Sequence, residues 1–292
     1  MKIALYGKSF KKESVTYLQF LISTLEKAEV NIFIYKSFYK VLKEDLSFTS
    51  EFSFFSGYAD LVDNVDYLFS IGGDGTLLDT ITLVRDSGIP VLGINLGRLG
   101  FLSSVQKNDI LYAVEQVMQK RYSIEERSLI TIDYDNNDFG EVNYALNEIS
   151  IHKSEAHSML SVKVSVNDKY LNTYWADGLI IATPTGSTAY SLSNGGPVLT
   201  PDAKNFIITP IATHNLTVRS IVIPDRSVVT VRVEGRNTNF NLGLDSRYIL
   251  KENTTEFKVR KSKIKLNLMQ LENECFFATI RKKLNWGLDN RN

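Results

Sequence analysis

The feature that most constrains this chain is a change of rhythm near Tyr122. Before it, short apolar runs alternate with stretches of helical spacing. After it, apolar runs follow one another with only turn residues between. In the first part, residues 3–6 read as a buried strand and 13–28 as a helix whose Val15, Leu18, Leu21, Ile22 and Leu25 share a face. Strands are expected at 30–35, 65–71 and 89–95, and helices over 76–86 and 110–119. Residues 39–64, rich in Ser and Phe, show no clear period. Strands alternating with helices imply a parallel sheet covered on both faces, a Rossmann-like α/β arrangement.

The second part offers strands at 127–134, 141–153, 160–166, 170–174, 178–182, 206–213, 219–223, 227–234, 240–244 and 256–268, with one helical interruption near 187–193. Turn residues at 135–138 and 166–168 separate them. The expected organisation is an α/β domain over 1–123, an all-β sandwich over 124–272, and a last segment, 273–292, whose helix at 276–284 returns to the first domain. Two runs break the strand period of two. Val142, Tyr144 and Leu146 share one face but Ile149 and Ile151 the other, so the phase slips at Asn147-Glu148. Such a slip implies a bulge or bend, a device that re-aims side chains beside active sites. A second slip, at 260–263, reads as a hairpin turn carrying basic residues on a solvated face.

Composition removes several function classes. Lys and Arg number 33 and Asp and Glu 33, so net charge suggests neither nucleic acid nor an acidic membrane surface. The one cysteine, Cys275, excludes an internal disulfide and a cysteine metal cluster, and reads as a small buried apolar group. The apolar stretch at the N-terminus is too short for a signal peptide, and charges follow at Lys8, Lys11 and Lys12. A cytoplasmic location is expected.

Two stretches carry chemistry. Strand 65–71 runs into Gly72-Gly73-Asp74-Gly75-Thr76, where a helix opens. Glycines admit positive φ and let another molecule approach the backbone, and free N–H groups at a helix start favour a phosphate. A carboxylate among them is out of place for phosphate binding alone. Asp74 suits a base, or a group gripping a hydroxyl beside that phosphate. The plain alternative is a structural turn whose Asp caps the helix. The second stretch follows strand 178–182: Thr183-Pro184-Thr185-Gly186-Ser187-Thr188-Ala189-Tyr190-Ser191-Leu192-Ser193, then Asn194-Gly195-Gly196-Pro197. Its hydroxyls, amides and the Tyr190 ring suit a purine and a sugar; a capped helix and a tight turn are the plain alternative.

Other motifs fail. Gly7-Lys8-Ser9 lacks the upstream glycine of a nucleotide P-loop. Asp138-Phe139-Gly140 has no partner motifs. His152, His157 and His214 have no metal-ligand spacing.

Taken in order, Gly72 to Thr76, Asn147-Glu148, Asp177-Gly178, Thr183 to Ser193, Gly195-Gly196-Pro197, Pro210-Ile211-Ala212-Thr213-His214 and Leu244-Asp245-Ser246 resemble the bacterial NAD kinase family. The glycine-Asp turn alone is shared with lipid kinases and phosphofructokinases; the Thr-Pro-Thr-Gly-Ser-Thr-Ala-Tyr segment separates them. The resemblance implies phosphoryl transfer from ATP, or polyphosphate, to the 2′-hydroxyl of the adenosine ribose of NAD. It makes Asp74 the catalytic carboxylate, with Gly72, Gly73, Gly75 and Thr76 around the phosphates. It assigns NAD contacts to Asp74, Gly75, Asn147, Glu148, Asp177, Thr188, Ala189, Tyr190, Ser191, Leu192, Ser193 and Ala212. A divalent cation, Mg²⁺, would accompany ATP, held by the donor phosphates and not by a carboxylate cage of the chain. The family forms homo-oligomers, dimers or tetramers. Many relatives carry a basic residue where Trp175 stands, and the roles of Asp245 and Arg247 stay open. A diacylglycerol-type lipid kinase and a non-catalytic dinucleotide sensor are the alternatives.

Overall fold

The computed structural model describes residues 1–97, 100–103, 105–133, 138–155, 159–234, 239–252, 254–272 and 275–287. The loop residues Arg98 and Leu99, the turn at 135–137 and His157 lie outside them. The chain divides into two compact units, Met1–Glu126 with Leu266–Asn292, and Arg127–Lys265.

In the first unit the elements run β1 (Lys2–Gly7), α1 (Val15–Lys27), β2 (Asn31–Tyr35), α2 (Lys36–Asp45), β3 (Ser53–Phe55), α3 (Tyr58–Leu61), β4 (Tyr67–Ile71), α4 (Asp74–Asp79), α5 (Ile81–Val84), β5 (Val91–Asn95), β6 (Val105–Gln106) and α6 (Ile110–Met118). Parallel pairing gives the order β5-β4-β1-β2-β3. The order reverses beside β1, so the loops after β1 and β4 flank the crevice at the carboxyl ends of the strands, where open α/β sheets bind ligands. Strands β4 and β5 are buried along their whole length, as expected of central parallel strands. Leu18, Leu21, Ile22 and Leu25 of α1 pack with Ile3, Leu5 and Phe69 in one core.

The helix expected over 76–86 begins instead at Asp74 and divides at Thr80, whose hydroxyl donates to the Leu77 carbonyl. The stretch without a readable period holds the end of α2, β3 and α3, packed through aromatic pairs such as Tyr39–Phe54 and Tyr35–Phe55.

Strand β7 (Tyr122–Asp133) leads into the second unit, which continues with β8 (Tyr144–Ala145), β9 (Glu148–Lys153), β10 (Leu160–Val166), β11 (Lys169–Ala176), β12 (Gly178–Ala182), α7 (Tyr190–Ser193), β13 (Asn205–Ile211), β14 (Ile221–Pro224), β15 (Val229–Glu234), β16 (Asn239–Leu244), β17 (Arg247–Glu252) and β18 (Glu256–Leu271). It is a sandwich. One sheet is ordered β14-β13-β12-β9-β16-β17; the other joins β11, β10, β15 and β18, with β7 and β8 off this path. Val162, Val164, Val231 and Phe257 of the second sheet meet Ile149, Ile151, Leu179, Phe206 and Leu242 of the first in a common core. The unbroken apolar run of β12 is explained by burial on both faces, since Ile180 and Ala182 pack with Ile207, Ile211 and Leu199 on the far side.

Three expectations need correction. The run 141–153 is not one strand: β8 pairs with β7 in one sheet, β9 with β12 and β16 in the other, and the phase slip is where the chain crosses between them. The slip at 260–263 is no hairpin; β18 is a single strand that pairs with β15 through Phe257 and Val259 and with β5 through Leu268. Cys275 is exposed, not buried, just before α8 (Phe276–Leu284). That helix belongs to the first unit, and the Lys283 ammonium lies 5.4 Å from the Phe101 ring centroid.

Candidate active site

In the first unit the glycine turn sits at the carboxyl end of β4, beside that of β5, with the Gly72 N–H donating to Ile94 O at 2.9 Å. Gly72 has φ of 153°, and a Cβ there would lie 2.4 Å from the Thr76 hydroxyl, so the turn closes only on glycine. At Gly73 and Gly75 a Cβ would meet nothing within 4 Å; that side of the turn is open.

Asp74 does not cap its own helix. Its carboxylate reaches across to the loop after β5 and accepts three consecutive main-chain N–H groups: Phe101 on Oδ2 at 2.7 Å, and Leu102 and Ser103 on Oδ1 at 3.1 and 3.0 Å. A Cβ at Gly100 would fall 1.8 Å from Oδ1, so that glycine makes the room for the carboxylate. A carboxylate offers about four acceptor positions. Three are taken here, and the residue is only partly buried, leaving Oδ2 a position for an outside donor.

The second unit carries a matching cradle. The carboxylate of Asp245, in the two-residue turn between β16 and β17, accepts Leu146 N–H on Oδ2 at 2.8 Å and those of Asn147 and Glu148 on Oδ1 at 2.7 and 3.1 Å. Arg247 donates to the carbonyls of Val142 and Tyr144. These bonds hold the chain where it crosses between sheets. Glu148 is pushed up to about 8, first by burial and then by the charge of Asp245. Its Oε2 is buried with no hydrogen-bond partner among the described residues.

The hydroxyl-rich turn packs directly on Asn147. Thr183 N–H donates to Asn147 O at 2.8 Å, and the Thr183 hydroxyl donates to Leu146 O. A Cβ at Gly186 would lie 2.0 Å from Asn147 O, so only glycine lets the two backbones meet. Arg127, buried, donates to the Thr185 hydroxyl at 3.5 Å. The helix read at 187–193 is a short 3₁₀ turn over 185–188 followed by α7, and its residues face different ways. Ser191 points inward and shares a 2.9 Å hydrogen bond with Thr209. Thr188, Ala189 and Leu192 are half-buried, while Ser193 and Tyr190 are exposed. Tyr190 stacks on His152, ring centroids 5.7 Å apart at 29°, and His152 in turn meets Tyr248 edge-on. Burial lowers the His152 pKa and raises that of Tyr248. Asp177 pairs with Lys153 at 2.7 Å, and Ala212 holds a left-handed φ of 44° just past β13.

Sequence reasoning missed His152, Tyr248, Lys153 and the role of Asp245. Metal spacing is the wrong question to ask of a histidine that stacks, and Asp245 reaches partners 97 to 99 positions away.

A carboxylate cradled at the carboxyl end of a parallel strand, beside an open glycine turn, suits a class: phosphotransferases whose acceptor is an alcohol. The comparisons narrow it. The ATP-NAD kinase N-terminal domain family matches residues 3–122 and the ATP-NAD kinase C-terminal domain family residues 146–271. An NAD kinase of Cytophaga hutchinsonii is 42% identical over 293 residues, covering 100% of both chains. The yeast NADH kinase complexed with NADH shares the fold at TM-score 0.87 and 23% identity, over 99% of this chain and 89% of that one. The NAD kinase of Archaeoglobus fulgidus in complex with ATP does so at 0.74 and 23%, over 98% and 99%. The chain belongs to the NAD kinase family, enzymes that transfer a phosphoryl group from ATP to NAD to give NADP.

Proposed function

We propose that Asp74 receives the 2′-hydroxyl of the adenosine ribose of NAD and takes its proton as the phosphoryl group arrives. The carrying observation is the amide cradle: three N–H groups fix the carboxylate while Oδ2 keeps an acceptor position. Such fixing supplies the alignment on which phosphoryl transfer chiefly depends. The open faces of Gly73 and Gly75, with Gly72 and Thr76 shaping the turn, suit the close approach of donor phosphates. Asn147 and Glu148 take a ribose, Asp177 the nicotinamide end, and Thr188 to Ser193 the adenosine, with the Tyr190 ring as its aromatic face and Ala212 at its edge.

Among the described residues no three His, Cys, Asp or Glu side chains converge to hold a metal. With three of its acceptor positions occupied, Asp74 does not complete a cage either. Mg²⁺ would enter with the donor, held by its phosphates. No helix among the described residues is long and apolar enough to cross a membrane. A homo-oligomer, dimer or tetramer, is the expected form on the family resemblance.

The test is Asp74→Asn assayed with NAD, ATP and Mg²⁺. The amide keeps the shape, loses the charge and turns an N–H₂ toward a loop of N–H donors. NADP formation should fall about 10³-fold, the middle of the range for an acid–base group, while calorimetric NAD affinity stays measurable. Turnover near that of the unaltered enzyme would remove Asp74 from the chemistry.

A further inference from the structure

We propose that Asp245, anchored with Arg247, is a positioning residue that sets the Asn147-Glu148 turn for the dinucleotide without touching it. The inference rests on the reading of Asn147 and Glu148 as NAD contacts. Asp245 is 7% exposed, and its two carboxylate oxygens are turned to three main-chain N–H groups. Its carboxylate repeats the pattern at Asp74: the first amide of a run goes to Oδ2, the second and third to Oδ1. The grip is reciprocal, since Asp245 N–H donates to Glu148 O at 3.1 Å.

The turn needs such a grip. Residues 146 and 147 lie between β8 and β9, which belong to different sheets, so no strand pairing is assigned to them. Asp245 supplies the acceptors for the N–H of Leu146 and Asn147, and Arg247 holds the chain just upstream through two carbonyls. The residue thus links the β16–β17 hairpin to the place where Thr183 and Gly186 also converge on Asn147. Charge adds a second effect. Burial and then Asp245 raise the Glu148 pKa, and burial and then Glu148 raise that of the Tyr248 phenol on β17. Burial raises the Asp245 pKa, against which the three amides and then Arg247 act, and burial lowers that of His152, farther along β9.

The experiment compares Asp245→Asn and Arg247→Lys with the unaltered full chain. Steady-state assays give KM for NAD and for ATP separately, and NAD affinity is titrated from pH 5 to 9. Asp245→Asn should raise KM for NAD about tenfold or more with KM for ATP within twofold. It should also move the pH midpoint of NAD affinity to lower pH, by about one unit, as the charge beside Glu148 is lost. Arg247→Lys keeps a cation but loses the planar fork that spans two carbonyls, and should change KM for NAD in the same direction by less. If Asp245→Asn lowers thermal stability but leaves both KM values and the pH midpoint unchanged, Asp245 is structural only and the inference fails. If Asp245→Asn does not fold, Arg247→Lys decides by the same two readouts. If the unaltered chain makes no NADP, it is the reading of the activity that fails instead.

Discussion

Replacing Glu148 by Gln asks whether the fold holds this carboxyl neutral. Burial and then Asp245 push it from the ordinary 4.5 up to about 8. Below pH 4.5 the group is protonated in folded and unfolded chains alike, and its burial carries no charge penalty. Between there and pH 8 the unfolded chain releases the proton and the folded chain keeps it, so stability falls as pH rises. Above pH 8 both have released it and the loss is complete. The span of 8 − 4.5, at about 1.36 kcal/mol per unit, sets a ceiling of about 5 kcal/mol; the part that falls above pH 5, reduced by solvent screening of a partly exposed side chain, brings the expectation to about 2–4 kcal/mol. Gln cannot ionise, so whatever its packing costs is the same at every pH. Urea unfolding of both proteins without ligand at pH 5, 7 and 9, followed by intrinsic fluorescence, isolates the effect. The stability of Glu148→Gln relative to the unaltered chain should rise by that amount from pH 5 to pH 9. A difference that stays flat within about 0.5 kcal/mol, the scatter usual for additive surface changes, would refute the assignment of a neutral buried carboxyl.

Two glycines give sharper steric tests. Gly100→Ala puts a methyl 1.8 Å from Asp74 Oδ1; the displaced carboxylate should cost about 10²-fold in kcat, the usual penalty of an ångström-scale misplacement, and activity within twofold would count against the cradle. Gly186→Ala puts one 2.0 Å from the carbonyl oxygen of Asn147. It should destabilise by about 1–3 kcal/mol in chemical unfolding, as overpacking between rigid partners does, with KM for NAD raised. An unchanged midpoint would show that the two backbones part easily.

Local signals were legible in the sequence and long-range ones were not. The strand at 178–182 and the helix at 276–284 appear where the spacing puts them, because an apolar run and an amphipathic stripe are written in adjacent residues. The glycine turn and its carboxylate were also readable. The partners of Asp74, 27 to 29 positions away, were not, since main-chain N–H groups leave no mark on composition. Strand β17 was missed because it alternates exposed Tyr248 and Leu250 with half-buried Arg247 and Ile249, a pattern without the usual contrast between faces. The slips at Asn147-Glu148 and at 260–263 were seen as breaks of period. What lay behind each needed the pairing partners: one is a crossing between sheets, the other falls within a strand paired to β15 at one end and β5 at the other.

The cradle around Asp74 has a consequence for how this region tolerates change. Every residue type but proline carries a main-chain N–H, so Phe101, Leu102 and Ser103 hold the carboxylate by something nineteen of the twenty amino acids share. The grip itself does not depend on their side chains, although those of Leu102 and Ser103 are buried, whereas a proline at any of the three would delete one donor outright. Substitution scanning should therefore show permissiveness at half-buried Phe101, tolerance limited by size and polarity at buried Leu102 and Ser103, and rejection of proline at all three.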